Sequence, residues 1–348
     1  MSDGSFFEVD GSFGEGGGQI LRTTITLSSI LNKPVKVNNI RAKRNNPGLR
    51  PQHVAAVRIL ADMCGAEVEN LNIGESWVTF KPGEKPEPSL KFDIGTAGST
   101  TLLMMATIPA ASLNGVGCDL ELIGGTDVKW SPTLDYFRYV ALPAYRLVGI
   151  DCTVEVVRRG YYPKGGGIVK VQTKPSKKLT PINTVSKEPL PPSAISICSN
   201  LPRSVAERQM SSALNYLFEQ DISWSDMKIN VEDAVSPGSS IVLYSVGDEG
   251  PFLGADSIGE RGKPAEKVGK QVSQNFMKEY SSGAPIDMHM GDILVTPLFL
   301  AEGESKFRVS TVTQHMMTDL HVASILTGRG YKLEEHKDGT VTVTIGSE

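Results

Sequence analysis

The chain has only four cysteines in 348 residues, Cys64, Cys118, Cys152 and Cys198, and none forms a CxxC pair. That spacing argues against both a structural zinc site and a disulfide framework. Reduced, buried thiols in a cytoplasmic protein are the expectation. There is no run of eighteen apolar residues, so no transmembrane helix and no membrane partner is expected. The acidic opening "MSDGSFFEVDGS" has no apolar segment of the kind an export leader needs. Positive charge is also short: 35 Lys and Arg face 39 Asp and Glu, a net charge of −4. Nucleic-acid binders that rely on bulk charge are usually basic, so an anionic partner here must meet a local patch.

What the chain does have is length and internal repetition. It is long for one domain, and three of its segments share one order of elements. The first runs "GGGQILRTTITLSSILNKPVKVNNIR" then "LRPQHVAAVRILADMCGAEVENLNIGESWVTFKP": helix, alternating strand, a second helix ending near Gly65, and two strands. The second runs "GSTTLLMMATIPAASLNGVGCDLELIGG" then "SPTLDYFRYVALPAYRLVGIDCTVEVVRRGYYPKGGGIVKVQT" in the same order. The third runs "GDILVTPLFLAEGESKFRVSTVTQ" then "TDLHVASILTGRGYKLEEHKDGTVTVTIGS".

With His53, Asp135 and Asp319 taken as equivalent positions, the second interval exceeds the first by roughly one hundred residues. The excess follows the Pro-, Ser- and Lys-rich linker "KPSKKLTPINTVSKEPLPPS". It carries its own pattern: strand "AISICSN", helix "SVAERQMSSALNYLFEQ", strands "MKINVED" and "SSIVLYSV", and helix "PAEKVGKQVSQNFMKEYS". The expected architecture is an α/β body of three repeats interrupted by a small α/β domain. Residues 1–186 hold the first two repeats, 187–283 the insertion and 284–348 the third repeat.

If three repeats pack together, their loops can converge, and several loops are rich in glycine and polar groups. "DGSFGEGGGQILR" sets four glycines around Glu15 just before a helix, with Gln19 and Arg22 in its first turns. Open N–H groups at a helix start suit phosphate oxygens, and Arg22 adds charge. The pattern is neither GxxxxGK[ST] nor GxGxxG, so a plain tight turn is an equal reading. "IRAKRNNPGLRPQH" collects Arg41, Lys43, Arg44 and Arg50 without a carboxylate, followed by Gln52 and His53. It is the local cationic patch an acidic chain needs for a phosphate-bearing end, or else a solvated basic loop. "FDIGTAGSTTLL" and "IGGTDVKWSP" read as phosphate or ribose contacts or as N-caps. "RRGYYPKGGG" puts Arg158, Arg159 and Lys164 beside Tyr161 and Tyr162, a set able to stack a base and hold a phosphate.

Two of the five histidines, His315 and His321, lie in "TVTQHMMTDLHVAS". A spacing of six turns the helix by about 240°, so they do not share a face as a zinc pair would. Thr318 or Asp319 reads as an N-cap, which puts His321 in the first turn as an ordinary helix residue. His315 then falls before the helix, at the end of the strand "KFRVSTVT", where α/β units expose reactive side chains.

Together "DGSFGEGGGQILR", "IRAKRNNPGLRPQH", "GTAGSTTL", "GGTD", "RRGYYPKGGG", "GERGKPAEKVG" and "HMMTDLHV" resemble the RNA 3′-terminal phosphate cyclases, in order and over nearly the whole chain. The resemblance implies three βαβαββ repeats, each similar to the C-terminal domain of a bacterial translation initiation factor and related to enolpyruvyl transferases. It also implies a thioredoxin-like α/β insertion. The implied reaction converts an RNA 3′-phosphate to a 2′,3′-cyclic phosphodiester, with ATP giving AMP and pyrophosphate and a divalent metal, Mg2+ or Mn2+, assisting. In that family a histidine in a pattern like H-x-x-T-N carries AMP, and "HMMTD" puts His315 there, with Asp319 in place of the Asn. By the same matching, Glu15 would hold the metal, and Gln19, Arg22, Arg41, Arg44 and Gln52 would contact the triphosphate or the RNA phosphate. "IDMHMGDILVTP" resembles the family's nucleotide-binding stretch H-L-A-D-Q, which puts His289, Met290, Gly291, Asp292 and Ile293 near the adenosine. Ile293 and Met105 stand where glutamines are common. The partners implied are RNA with a 3′-phosphate end and ATP, and an oligomer is neither required nor excluded. The competing readings are a non-catalytic relative in ribosomal RNA processing, which lacks the nucleophilic histidine, and a small-molecule enolpyruvyl-type transferase.

Overall fold

In the computed structural model, which describes residues 6–14 and 16–346, one order of elements occurs three times: strand, helix, strand, helix, strand, strand. The first set is β1 (Phe7–Asp10), α1 (Gln19–Leu31), β2 (Val35–Asn38), α2 (Pro51–Cys64), β3 (Glu67–Glu69) and β4 (Val78–Lys81). The second begins with β5 (Ser89–Asp93), α3 (Thr100–Leu113) and β6 (Cys118–Gly124). Its next helix runs as α4 (Leu134–Tyr136), a π-helical turn over Phe137–Ala141 and α5 (Leu142–Leu147), before β7 (Cys152–Arg158) and β8 (Gly167–Thr173).

The third set opens with the two-residue β9 (Asn183–Thr184) and is then interrupted. The intervening chain forms β10 (Ser193–Ser199), α6 (Ser204–Glu219), β11 (Met227–Val231), β12 (Gly238–Val246), β13 (Phe252–Ile258) and α7 (Ala265–Tyr280). The set resumes with α8 (Met288–Leu300), β14 (Ser305–Val309), α9 (Gln314–Thr327), β15 (Tyr331–Glu335) and β16 (Val341–Ile345).

The three repeat sheets share one topology: β1-β2-β4-β3, β5-β6-β8-β7 and β9-β14-β16-β15. In each the first pair is parallel and the others antiparallel. The fourth sheet, β11-β10-β12-β13, is parallel only at β10 and β11. Period-two burial shows why the repeat sheets have one dry face: in β8, Val169 and Val171 are buried while Lys170 and Gln172 are exposed. Helices α3 and α8 are instead apolar all round, as central helices must be. Helices α2 and α9 end on left-handed glycines, Gly65 (φ 66°) and Gly328 (φ 74°).

The fourth sheet packs on both faces. Leu217, Leu243 and Phe276 form a core with α6 and α7, while Ile195, Ile197 and Val242 join the main core. The reading of "RRGYYPKGGG" as a nucleic-acid contact is corrected in part here. Arg159 is completely buried, and its guanidinium donates to Asp127 (3.3 Å), Asp135 (2.8 Å) and Glu232 (2.7 Å). A buried cation needs such partners, so Arg159 joins the second repeat to the insertion instead of meeting solvent. Tyr161 is buried too, leaving Tyr162 and Lys164 on the surface. Ser99 caps α3 by accepting from Leu102 N–H (3.2 Å), and the Asp127 carboxylate of "GGTD" is taken up by Arg159. Of the four free cysteines three are buried and Cys64 is half-buried, and burial pushes each thiol pKa up. Among the described residues no helix is long and apolar enough to cross a membrane.

Candidate active site

The first helix of the second repeat, α3, packs on those of the other two, α1 and α8, and α9 packs on both α1 and α8. At the meeting point lies a narrow cavity of ≈ 20 Å³, lined by Gln19, Arg22 and Thr23 of α1, Met105 of α3, Asp292 and Ile293 of α8, and Asp319 of α9. It is polar on the α1 and α9 side and has room for about one water-sized molecule.

Helix α1 enters this region from the glycine loop with no side-chain cap and no acidic residue in its first turn. Among the described residues no side chain caps its leading N–H groups, which suit water or an anion. The loop packs backbone-first against the basic loop: a Cβ on Gly17 would come 3.3 Å from the Arg44 guanidinium, and one on Gly18 would lie 2.0 Å from His53 Nε2. On its other side Phe13 stacks on His321, ring centroids 3.9 Å apart, so His321 props the loop.

In the basic loop Arg41 adopts φ 55°, and its guanidinium donates to the Asn46 carbonyl (2.6 Å). Burial lowers the Arg41 pKa, and so do the neighbouring charges of Arg50 and Arg44, which places three guanidinium groups close together. Arg44 itself is exposed. Gln52, next in sequence, has its Nε2 buried without a hydrogen-bond partner, a donor available to a ligand. His53 accepts from Arg50 N–H at Nδ1 (3.1 Å), and burial beside Arg22, Arg41 and Arg50 pushes its pKa down to about 3. It is a neutral spacer, adding no charge to the patch.

The structure corrects the start of α9. Thr313 is the N-cap, accepting from Met316 N–H (2.9 Å) and donating to Asp292 Oδ1 (2.6 Å). Thr318 bonds back to the Gln314 carbonyl instead (2.8 Å), so the helix begins at Gln314, not near Asp319. His315 thus lies exposed in the first turn, one turn before Asp319 on the same helix face. Asp319 is buried and accepts from Thr23 Oγ1 (2.5 Å) and from Gln19 Nε2 (2.8 Å), and the Gln19 carbonyl accepts from Arg22. Burial pushes Asp319 up to about 7 against the pull of Thr23, Gln19 and Arg22. Burial likewise raises Asp292 well above its ordinary value and lowers Arg22 to about 10.

Of the residues singled out in the sequence, Gln19, Arg22, Met105, Asp292 and Ile293 share the cavity, and Arg41, Arg44 and Gln52 belong to the basic loop and helix start that adjoin it. Glu15 lies outside the described residues. His289 is exposed in the first turn of α8, Met290 is fully buried in the core, and a Cβ on Gly291 would come 2.3 Å from Met316 Cε. Those last two positions pack the helix. Thr23 and Thr313 escaped the sequence reading. The signal for Thr23 is the polar stripe Gln19, Arg22, Thr23, Thr26 at i, i+3, i+4, i+7 on an otherwise buried helix. Among the described residues no three His, Cys, Asp or Glu side chains converge as a metal cage.

A family model described as RNA 3′-terminal phosphate cyclase matches residues 13–333. Curated relatives called RNA 3′-terminal phosphate cyclase include one from Staphylothermus marinus, 44% identical over 325 residues and covering 91% of each chain. One from Desulfurococcus amylolyticus is 43% identical over 329 residues, with 92% of each covered. Another from Archaeoglobus fulgidus is 40% identical over 330 residues, covering 95% of this chain and 98% of its own. Among solved structures, the enolpyruvyl transferase NikO from Streptomyces tendae aligns with 97% of this chain and 81% of its own. The identity is 11% and the TM-score 0.21, too slight a likeness to carry an argument.

Proposed function

The chain belongs to the RNA 3′-terminal phosphate cyclase family, and from that premise we propose that it converts RNA 3′-phosphate ends to 2′,3′-cyclic phosphodiesters in the cytoplasm, through AMP carried on His315. An imidazole nitrogen of His315 attacks the α-phosphorus of ATP; the bond to the bridging oxygen breaks and pyrophosphate leaves. An oxygen of the RNA 3′-phosphate then attacks the same phosphorus, breaking the P–N bond and giving RNA-(3′)pp(5′)A. Finally the neighbouring 2′-hydroxyl, losing its proton, attacks the 3′-phosphorus and expels AMP, closing the ring. One difficult displacement is split into easier ones, and neutral imidazole is a competent nucleophile near pH 7.

The observation that carries this reading is the placement of exposed His315 one helical turn from Asp319, whose carboxylate is bound to Gln19 and through it to Arg22. Arg22, the Arg41 and Arg44 loop and the uncapped start of α1 supply positive potential where negative charge gathers during phosphoryl transfer. We assign the nucleoside to the surface outside the cavity on the side of Asp292, Ile293 and Met105, with exposed His289 at its rim. A divalent cation, Mg2+ or Mn2+, would neutralise phosphate charge when bound; with no cage of described side chains, ATP phosphates would hold most of it, with Glu15 as the proposed protein ligand.

The test is incubation with α-labelled ATP and a divalent metal. Acid-labile, base-stable label should appear on the protein and vanish in His315→Ala. Label that survives this change, or no label on the wild type, defeats the assignment and favours a non-catalytic member of the family.

A further inference from the structure

The donor and acceptor chemistry between α1 and α9 has only one consistent order. A guanidinium only donates, whereas a glutamine carboxamide accepts at its oxygen and donates at its nitrogen. Set between Asp319 and Arg22, Gln19 must turn its NH2 toward the carboxylate and its oxygen toward the guanidinium, as observed: Gln19 Nε2 to Asp319 Oδ2 is 2.8 Å, and Gln19 Oε1 accepts from Arg22. Thr23 Oγ1 donates to the other Asp319 oxygen (2.5 Å), so both carboxylate oxygens are engaged and the group cannot swing. Among the described residues, Arg22 gives no hydrogen bond besides the one to Gln19. The rest of its five N–H donors belong to a residue that lines the cavity, where an anion can take them.

We infer that Asp319 is a positioning residue: through the Gln19 carboxamide it fixes the aim of the Arg22 guanidinium, tying the helix that carries His315 to the phosphate-facing end of α1. This deepens the adenylyl-transfer reading and rests on it. Asp319 touches no reacting atom. Its effect reaches the chemistry through Arg22, and misaiming a charge by about 1 Å can cost on the order of a hundredfold in rate. Without the carboxylate, Gln19 can rotate its amide and Arg22 loses its fixed acceptor, so the transferring phosphorus meets a cation of variable direction.

The test measures single-turnover formation of the protein–AMP adduct and apparent affinity for ATP in the full chain, with thermal midpoints recorded for each variant. Asp319→Ala and Gln19→Ala should each slow adduct formation by about tenfold or more while changing apparent ATP affinity less. Asp319→Asn should recover most of the rate, because its carbonyl still accepts from Gln19. Adding Asp319→Ala to Arg22→Ala should slow the reaction no further, since the relay ends at Arg22. If Asp319→Ala does not fold, Gln19→Ala with Arg22→Ala makes the same comparison. The inference fails if the rate is unchanged in Asp319→Ala, if Asp319→Asn falls as far as Asp319→Ala, or if the losses multiply with that of Arg22→Ala. A wild type that forms no adduct at all is a different result: it defeats the adenylyl-transfer reading itself, and this inference with it.

Discussion

Asp287 has no solvent exposure, and its carboxylate accepts from His289 N–H (2.9 Å), Met290 N–H (2.8 Å), Gly254 N–H (2.8 Å) and the Tyr136 hydroxyl (2.8 Å). Burial nevertheless dominates and pushes its pKa from 3.8 up to about 7; Glu279 and Asp292, both raised by burial, feel its charge. A carboxyl whose pKa is raised on folding holds a proton in the native state that the unfolded chain has released. Its stabilising contribution is complete below the unfolded pKa and is lost as pH rises through the folded one. Asp287→Asn should therefore gain stability relative to wild type as pH rises from about 4 to about 7, by up to about 1.4 kcal/mol per pH unit. Urea midpoints at four pH values would check this, and parallel curves would refute it. Little of this was legible from the sequence: Tyr136 and Asp287 are 151 positions apart, and no spacing rule joins a tyrosine in one repeat to a helix cap in another.

Helices were more legible than strands, for a physical reason. The apolar period of α1 and α2 and the glycines that end α2 and α9 are local signals, set by backbone geometry within a few residues. The start of α9 misled because threonine can cap or bond backward: Thr313 does the first and Thr318 the second. β13 carried no strand signal at all, since "FLGADSI" holds Gly254 and Asp256. Its pairing with β12 and the crowding at Gly254 make it a strand; a Cβ there would come 2.6 Å from Val140 Cγ2. The junction of α1 and α2 is more tightly crowded still. A Cβ on Gly18 would sit 2.0 Å from His53 Nε2, and His53 is pinned by Arg50 N–H. Gly18→Ala should thus destabilise by about 1–3 kcal/mol through overpacking, at an N-cap position where alanine is also less favourable than glycine. A thermal midpoint equal to wild type would show that the two helix starts can separate without cost.

Across the whole molecule, the repeat order could be read because each repeat writes its own periodicity. The site could not, because it exists only once the repeats close on one another. Gln19 and Asp319 are 300 positions apart, and Arg159 and Glu232, which fasten the insertion to the second repeat, are 73 apart. The resemblance to a family named residues, while the structure gave them partners: Asp319, a departure from the motif, turned out to hold Gln19 and Thr23. The insertion itself interrupts the third repeat between β9 and α8, leaving a two-residue strand stranded on the far side of it. The measurement that bears most directly on the whole is the intact mass of a 3′-phosphorylated RNA oligonucleotide after incubation with the protein, ATP and a divalent metal. The account predicts loss of the mass of one water from the RNA, with one AMP released per end converted, and no change with His315→Ala. An RNA that keeps its mass with folded wild-type protein, or one that cyclises equally well without His315, would contradict it.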